Sequence, residues 1–282
     1  MEHTLADLLE DIKSIEPLPQ VATRVIQLAS HTDVVPRDLV DVIQTDAGTT
    51  AKVLKLCNSA LYGFKREIAS LPEAGNLLGV STLANLVMTS CTGRYFRDYG
   101  HSDPAATMKL WEQSISNAFA TSSLAGRQGG VDRNRAYTVG LLENLGHLVL
   151  MRFVPDSRDA VAHALAGGED LLAIEARLYG LDHAEVGARL AERWNFPPVL
   201  SDAIRFHHAP DSAVIDPLMA SFGHLGEVVT HRLGFGAMEH DAHYALRESA
   251  LNLTGMTRAG LDALEPALKL ELAKAKRVLE IA

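Results

Sequence analysis

Apolar residues recur along this chain at the three- and four-residue spacing of helices, and no segment shows convincing strand alternation. Leu5 to Ile15 predicts a first amphipathic helix, with Thr4 as N-cap and Asp7 completing a capping-box-like pair. Pro17 stops it. Pro19 suits a first helical turn, and Val21, Val25, Leu28 and Ala29 carry the next helix. Leu39, Val42 and Ile43 mark a third, and Thr49 to Cys57 a fourth, with Asp46 at its start and Asn58–Ser59 at its end. Ser70 and Glu73 cap a short helix that Gly79 ends. Ser81 or Thr82 then caps one running toward Tyr99. A long helix follows over about 105–127. Asp182 and Glu185 open another that reaches Asn195 and stops at Pro197–Pro198. Asp216 to Leu233 is amphipathic, and the tail adds two helical segments with Pro266 as a kink or boundary. The fold class is all-α. The polar YGHSDP stretch, 99–104, divides an N-terminal helical part (1–100) from a second (101–236), with a C-terminal helical extension over 237–282.

One stretch stands apart. Gly140–Leu150 reads GLLENLGHLVL, and its leucines predict a helix with one buried face. Glu143 and Asn144 lie in the middle of it. Burying such groups is unfavourable unless they are paired or bind something. Gly140 and Gly146 flank them and allow close packing. The segment is either a core helix with a polar patch or a site.

Composition narrows the choice. Hydrophobic residues make up 47% of the 282, enough for one large or two modest cores. A net charge of −9 argues against non-specific binding to nucleic acid or an anionic membrane. Cys57 and Cys91 form neither a disulfide framework nor a zinc motif, and fit a reducing cytoplasm. The acidic N-terminus lacks the basic and apolar regions of a signal peptide, and no apolar run is long enough to span a membrane. Phosphate-cradling glycine loops, nucleophile elbows and HExxH are missing.

That leaves the twelve histidines. His183, His207 and His208 each open or close a helix downstream of Glu143, and helical bundles build metal sites from such sets. Histidines also serve as helix-end dipole partners. His147 follows Glu143 by four residues, so a local helical pair accounts for it. His224 and His231 read as structural, and His240 and His243 as surface residues.

Several of these motifs together resemble the HDOD family, the HD-related output domain of bacterial signalling proteins. PLP at 17–19 resembles its opening turn. The block 43–63 carries Asp46, Leu54, Asn58, Ser59, Ala60 and Tyr62 in its pattern, and departs from it at Ala47–Thr49. Ser70, Ala74, Leu78–Gly79 and Asn85–Leu86 look like the next block, and Trp111 is similar to a Trp that precedes a frequent His. Gly140–Leu150 resembles the G-L-L-H-D-I-G segment. Tyr179–Gly187 and Trp194–His208 resemble the two closing motifs. No motif of the family marks the segment after about Gly236.

The resemblance implies an all-helical fold related to HD phosphohydrolases, in which histidines and the His-Asp pair hold metal ions that activate water. Here Glu143 and Asn144 occupy the pair's positions, and Gln113 stands where a His is frequent. Neutral amide oxygens are poor ligands for transition metals. The implied function is therefore a non-catalytic regulatory protein of signal transduction. It would lack a cofactor and bind a partner signalling protein or a cyclic dinucleotide, and it could pair as a homodimer. The pocket would be formed by Gln113, Glu143, Asn144, His183, His207 and His208. Glu143 and Asn144 are expected to hydrogen-bond to neighbouring helices, with Gln113 or His183 as partners. Two alternatives stay open. One is a metal-dependent phosphodiesterase or phosphohydrolase built on the three histidines. The other is a cyclic di-GMP receptor using arginines near the junction, among Arg94, Arg97, Arg127, Arg133 and Arg135.

Overall fold

The structure is a computed structural model and describes residues 5–31, 33–59, 61–99, 103–128, 130–153, 158–235 and 245–279. Its described residues form helices and no strand. The N-terminal half holds α1 (Leu5–Ser14), α2 (Gln20–Ala29), α3 (Pro36–Ile43), α4 (Ala47–Cys57) and α5 (Leu71–Tyr99). After these come α6 (Pro104–Ala125), α7 (Arg133–Leu142), α8 (Leu145–Phe153), α9 (Arg158–Ala166) and α10 (Leu171–Tyr179). The chain continues through α11 (His183–Arg193), α12 (Pro198–Phe206), α13 (Pro217–Arg232), α14 (Glu248–Thr254) and α15 (Arg258–Leu279).

Local chemistry sets many of these ends. Asp46 caps α4 by accepting the Thr49 N–H at 2.6 Å, and Asp182 caps α11 by accepting that of Glu185 at 2.8 Å. Ser70 Oγ accepts the Glu73 N–H as expected, and Glu73 Oε2 reaches back one residue further, to the Ala69 N–H. Asn58 closes α4 and uses its amide in two directions. Its Nδ2 donates to the carbonyls of Leu54 and Ile68, and its Oδ1 accepts the Ile68 N–H at 2.7 Å. α5 is bent sharply at Gly79, whose φ of 77° is open to glycine and strained for other residues. Pro266 lies inside α15 without ending it. The break between the two C-terminal helices falls instead at Gly255, with φ of 66°. The expected Thr4 cap, much of the 99–104 linker, and His240 and His243 lie outside the described residues.

One expectation is corrected. The stretch 140–150 is not a single helix: α7 ends at Leu142, α8 begins at Leu145, and Glu143 and Asn144 form the turn between them. The leucine spacing survives because Glu143 keeps near-helical angles (φ −57°, ψ −32°). The turn aims both polar side chains inward, and both are fully buried.

α6 is the central strut. It packs on α7, α13 and α15, while α5 joins α2, α3 and α4 to α7. Buried apolar residues from Leu8 to Val278 form one continuous cluster. Tyr95 ties α5 across the molecule, donating its hydroxyl to the Glu16 carbonyl and meeting Trp194 edge-on at 5.2 Å. α8 crosses α11 so closely that a Cβ on Gly146 would overlap the His183 carbonyl oxygen. Gly146→Ala is therefore expected to destabilise by about 3 kcal/mol or more. Gly48→Ala, in the exposed first turn of α4 with only ordinary contacts, should stabilise by a few tenths to about 1 kcal/mol. Urea unfolding of the two variants checks both signs.

Candidate functional site

The turn between α7 and α8 faces α6, α11, α12 and α13, and each delivers polar side chains to it. Asn117 on α6 donates its Nδ2 to Glu143 Oε1 at 2.7 Å. Asn144 donates its Nδ2 to Glu227 Oε1, on α13, at 2.9 Å. Glu143, Asn144, Asn117 and Glu227 are all fully buried. Both polar residues do bond to neighbouring helices as expected, but the partners differ from those expected. Gln113 lies one turn before Asn117 on α6 and pairs with His231 on α13 at 3.0 Å.

The histidines form the other side. His183 opens α11, while His207 and His208 follow α12. The sequence motifs do bring these three together: the ring centroids of His183 lie 5.5 Å from His207 and 4.9 Å from His208. Glu227 Oε2 lies 3.7 Å from His207 Nε2 and 3.6 Å from His208 Nδ1. Glu143 reaches the same neighbourhood, since an ideal Cβ on Gly223 would lie 2.9 Å from Glu143 Oε2 and 3.6 Å from His207 Cβ. Five of the six expected residues thus share one buried network, with Gln113 a turn away.

His147 is not the local partner of Glu143. The turn swings it to α10, where its Nδ1 meets Glu175 Oε1 at 3.1 Å. His183 Nδ1 meets Glu175 Oε2 at 2.7 Å, and the His183 backbone N–H donates to the same oxygen. Glu175 therefore clasps two imidazoles, which stack at 3.7 Å and 19°. Such stacking makes the two in-plane lone-pair directions run side by side. One ion could not lie in both ring planes, so this trio is a hydrogen-bonded clasp and not a metal site.

The clasp fixes proton positions. A carboxylate can only accept, so His183 Nδ1 carries a proton. Burial opposes charge on His183, but the adjacent Glu175 outweighs it and raises the imidazole above its ordinary pKa. Burial likewise opposes charge on Glu175, and His183 and His147 outweigh it, holding that carboxyl far below its usual range. His183 Nε2 and His208 Nε2 lie 2.9 Å apart and share a hydrogen bond. His207 donates Nδ1–H to the Ile204 carbonyl at 2.6 Å, which leaves its Nε2 lone pair facing the network. Burial first, then the other histidines, pushes His207 and His208 well below the ordinary imidazole range. His224 accepts the Arg247 N–H and is lowered to about 4, chiefly by burial. Burial and the charge of Glu227 hold the Glu143 carboxyl well above its usual value.

The donor set only partly suits a transition ion. Ring nitrogens of His183, His207 and His208 lie within 4.8 Å of one another, and the Glu175 hydrogen bond behind His183 is a common support for a metal ligand. Asn144 suits an ion poorly because an amide oxygen is a weak neutral ligand, while Glu143 keeps its Oε2 buried without a hydrogen bond.

With the geometry in place, comparison with known proteins is decisive. The family model described as HDOD domain matches residues 15–210. The chain belongs to the HDOD family. An HDOD domain protein of unknown function from Geobacter sulfurreducens superposes with a TM-score of 0.79 at 22% identity, over 97% of each chain. A Marinobacter aquaeolei VT8 protein, named provisionally for signal transduction, gives 0.80 at 26% identity, over 98% of this chain and 65% of its own. A Shewanella amazonensis SB2B protein, named provisionally as a phosphohydrolase, gives 0.73 at 24%, over 99% and 100%. An uncharacterized protein of Treponema pallidum (strain Nichols) is 29% identical over 216 residues, covering 73% of this chain. The HDOD chain spans only 39% of that relative's length. Among the described residues no helix is long and apolar enough to cross a membrane.

Sequence reasoning missed Asn117, Glu175 and Glu227. Glu175 in LLAIEARLY and Glu227 in LGEVV carry the same signal as Glu143, a carboxylate inside an apolar helical run. Asn117 carries none of comparable strength. The clasp gives two measurable expectations. Glu175→Gln should cost roughly 3 kcal/mol or more, because the amide keeps one acceptor for two imidazole donors and removes the charge that answers them. Stability should also fall as the pH drops below about 6.5, where the unfolded chain protonates histidines that His207, His208 and His224 keep neutral when folded. Each costs about 1.4 kcal/mol per pH unit there. His183 works in the opposite direction, since its raised pKa stabilises below the ordinary imidazole value and that gain fades as the pH rises through the folded pKa. Glu143 acts in the same direction as His183, because its carboxyl keeps a proton when folded that the unfolded chain releases above the ordinary carboxylate range. Three outweigh two below the ordinary imidazole value. Urea midpoints between pH 7 and pH 5 that stay level would contradict this.

Proposed function

We propose that this HDOD domain is a non-catalytic regulatory module that works by binding a signalling protein or a nucleotide second messenger. The observation that carries the reading is the fate of the pair at 143–144. Both residues are fully buried, and they bond to Asn117 and Glu227. Buried to this extent, the pair is closed to an incoming phosphoester. The buried network then serves as a polar fastener between α6, the α7–α8 turn, α11 and α13. The provisional naming of the Marinobacter relative for signal transduction supports the same assignment.

A second reading has its own observation. His183, His207 and His208 converge, and His207 turns a bare Nε2 toward Glu227 Oε2. In a metal-dependent phosphohydrolase, as the Shewanella relative is provisionally named, these histidines would hold the ion, which would supply an activated water.

Elemental analysis and a hydrolysis assay on the same purified protein separate the two. The regulatory reading expects less than stoichiometric transition metal, no turnover of phosphodiester or phosphomonoester substrates, and capture of a defined partner from the native cell. Stoichiometric metal, together with hydrolysis that His207→Ala abolishes, would establish the phosphohydrolase instead.

A further inference from the structure

α1 sits differently from the helices that follow it. The family match begins at residue 15, just beyond its end. α2 and α3 pack on α5 within the N-terminal half, but α1 crosses the junction and lies against α8 and α11 of the second half. Leu5, Leu8, Leu9 and Ile12 stand at i, i+3, i+4 and i+7, the spacing with which an amphipathic helix lays its apolar face in a groove. Leu8 and Ile12 are buried and Leu9 is half-buried, while Asp7, Glu10 and Lys13 face solvent. α1 is seated as a helical peptide ligand would be, tethered to its own site.

Its hold is light. A ten-residue helix is too short to persist alone in water, so the order of α1 depends on this contact. Only Leu8 and Ile12 of its side chains are buried, and Leu5 stays 42% exposed. The chain just after it is better fastened: Ile15 and Leu18 are buried, and Tyr95 donates its hydroxyl to the Glu16 carbonyl. α1 can therefore lift while the residues behind it stay in place, since segments with few buried apolar contacts open well below the cost of global unfolding. Leu5 also leans on Gly180, its Cβ 3.0 Å from where a Cβ on that glycine would lie. Gly180 ends α10 and Asp182 caps α11, so α1 braces the turn that delivers His183.

We propose that α1 is a displaceable strap over a helix-docking groove on α8 and α11, and that an amphipathic helix of the signalling partner, with apolar residues at i, i+3, i+4 and i+7, takes its place. This rests on the regulatory reading and deepens it, because it names where the partner binds and what it displaces. Lifting α1 removes the brace from the α10–α11 turn, so the exchange of helices is felt at the histidine clasp.

The probe is a synthetic peptide of residues 1–16, MEHTLADLLEDIKSIE, labelled for fluorescence anisotropy and titrated with the full chain. In the unaltered chain the resident α1 competes at the roughly millimolar effective concentration of a short tether. A chain carrying Leu8→Asp and Ile12→Asp loses its own strap and should bind the peptide about tenfold or more tightly than the unaltered chain. The same two changes placed in the peptide should abolish binding. Circular dichroism and a cooperative melt confirm that the variant folds. Hydrogen exchange on the unaltered chain needs no variant: α1 amides should exchange roughly a hundredfold or more faster than those of α6, and a millimolar excess of peptide should speed them further. A folded double variant that binds the peptide no better than the unaltered chain would overturn the proposal. So would α1 amides as slow as those of α6, or amides that the peptide leaves unmoved. A dimer in light scattering that the double variant loses would make a second copy the occupant and overturn the partner assignment. Peptide binding by a chain that holds stoichiometric metal and hydrolyses phosphoesters would support the groove and remove the regulatory reading. Capture of a defined partner by a chain that ignores the peptide would do the reverse.

Discussion

Charge buried in a helical core has to be answered by charge, and Glu175 is where this chain meets that demand. Its two carboxylate oxygens hold His147 and His183, which stack against each other and join α8, α10 and α11. Removing water from an ionised carboxylate costs several kcal/mol, recovered only when geometry and hydrogen bonding are good. Here both oxygens are engaged, and one also takes the backbone N–H that begins α11. From the clasp the order passes outward. His183 keeps its Nδ1 proton on Glu175, its Nε2 shares a hydrogen bond with His208, and Glu227 stands beyond both His207 and His208.

The Glu143–Asn144 turn uses the same logic with weaker groups. An amide can donate to a carboxylate without itself needing a charge. Asn117 and Asn144 do this for Glu143 and Glu227, two acidic groups that could not both ionise comfortably side by side. Hydrogen bonds that cross between helices answer one polar atom of each of these groups, while Glu143 Oε2, Asn117 Oδ1 and Asn144 Oδ1 stay buried without one.

Much of the fold was legible because it is written locally. Pro17, the Ser70–Glu73 pair, Gly79 and the Asp182–Glu185 pair act within a few residues of themselves, and each behaves in the structure as its chemistry predicts. The convergence of His183, His207 and His208 was legible only through the resemblance, since spacing cannot say which helix ends meet. His147 shows the limit most clearly. Its four-residue separation from Glu143 pointed to a helical pair, but one turn of broken helix sent it to α10. Glu175 and Glu227 were visible as isolated carboxylates in apolar runs, yet their partners lie on other helices and only tertiary packing identifies them.

Asn58 illustrates a different kind of durability. Asparagine followed by serine is a sequence at which proteins age chemically, because the next backbone nitrogen can attack the side-chain amide and form a succinimide. In this chain the Asn58 amide is held at both ends by the Leu54 carbonyl and by both backbone groups of Ile68, while the Ser59 N–H is spent on the Leu56 carbonyl. Neither reacting group is free to turn toward the other. The same bonds that close α4 and anchor the following loop therefore protect this position from deamidation for as long as the domain stays folded.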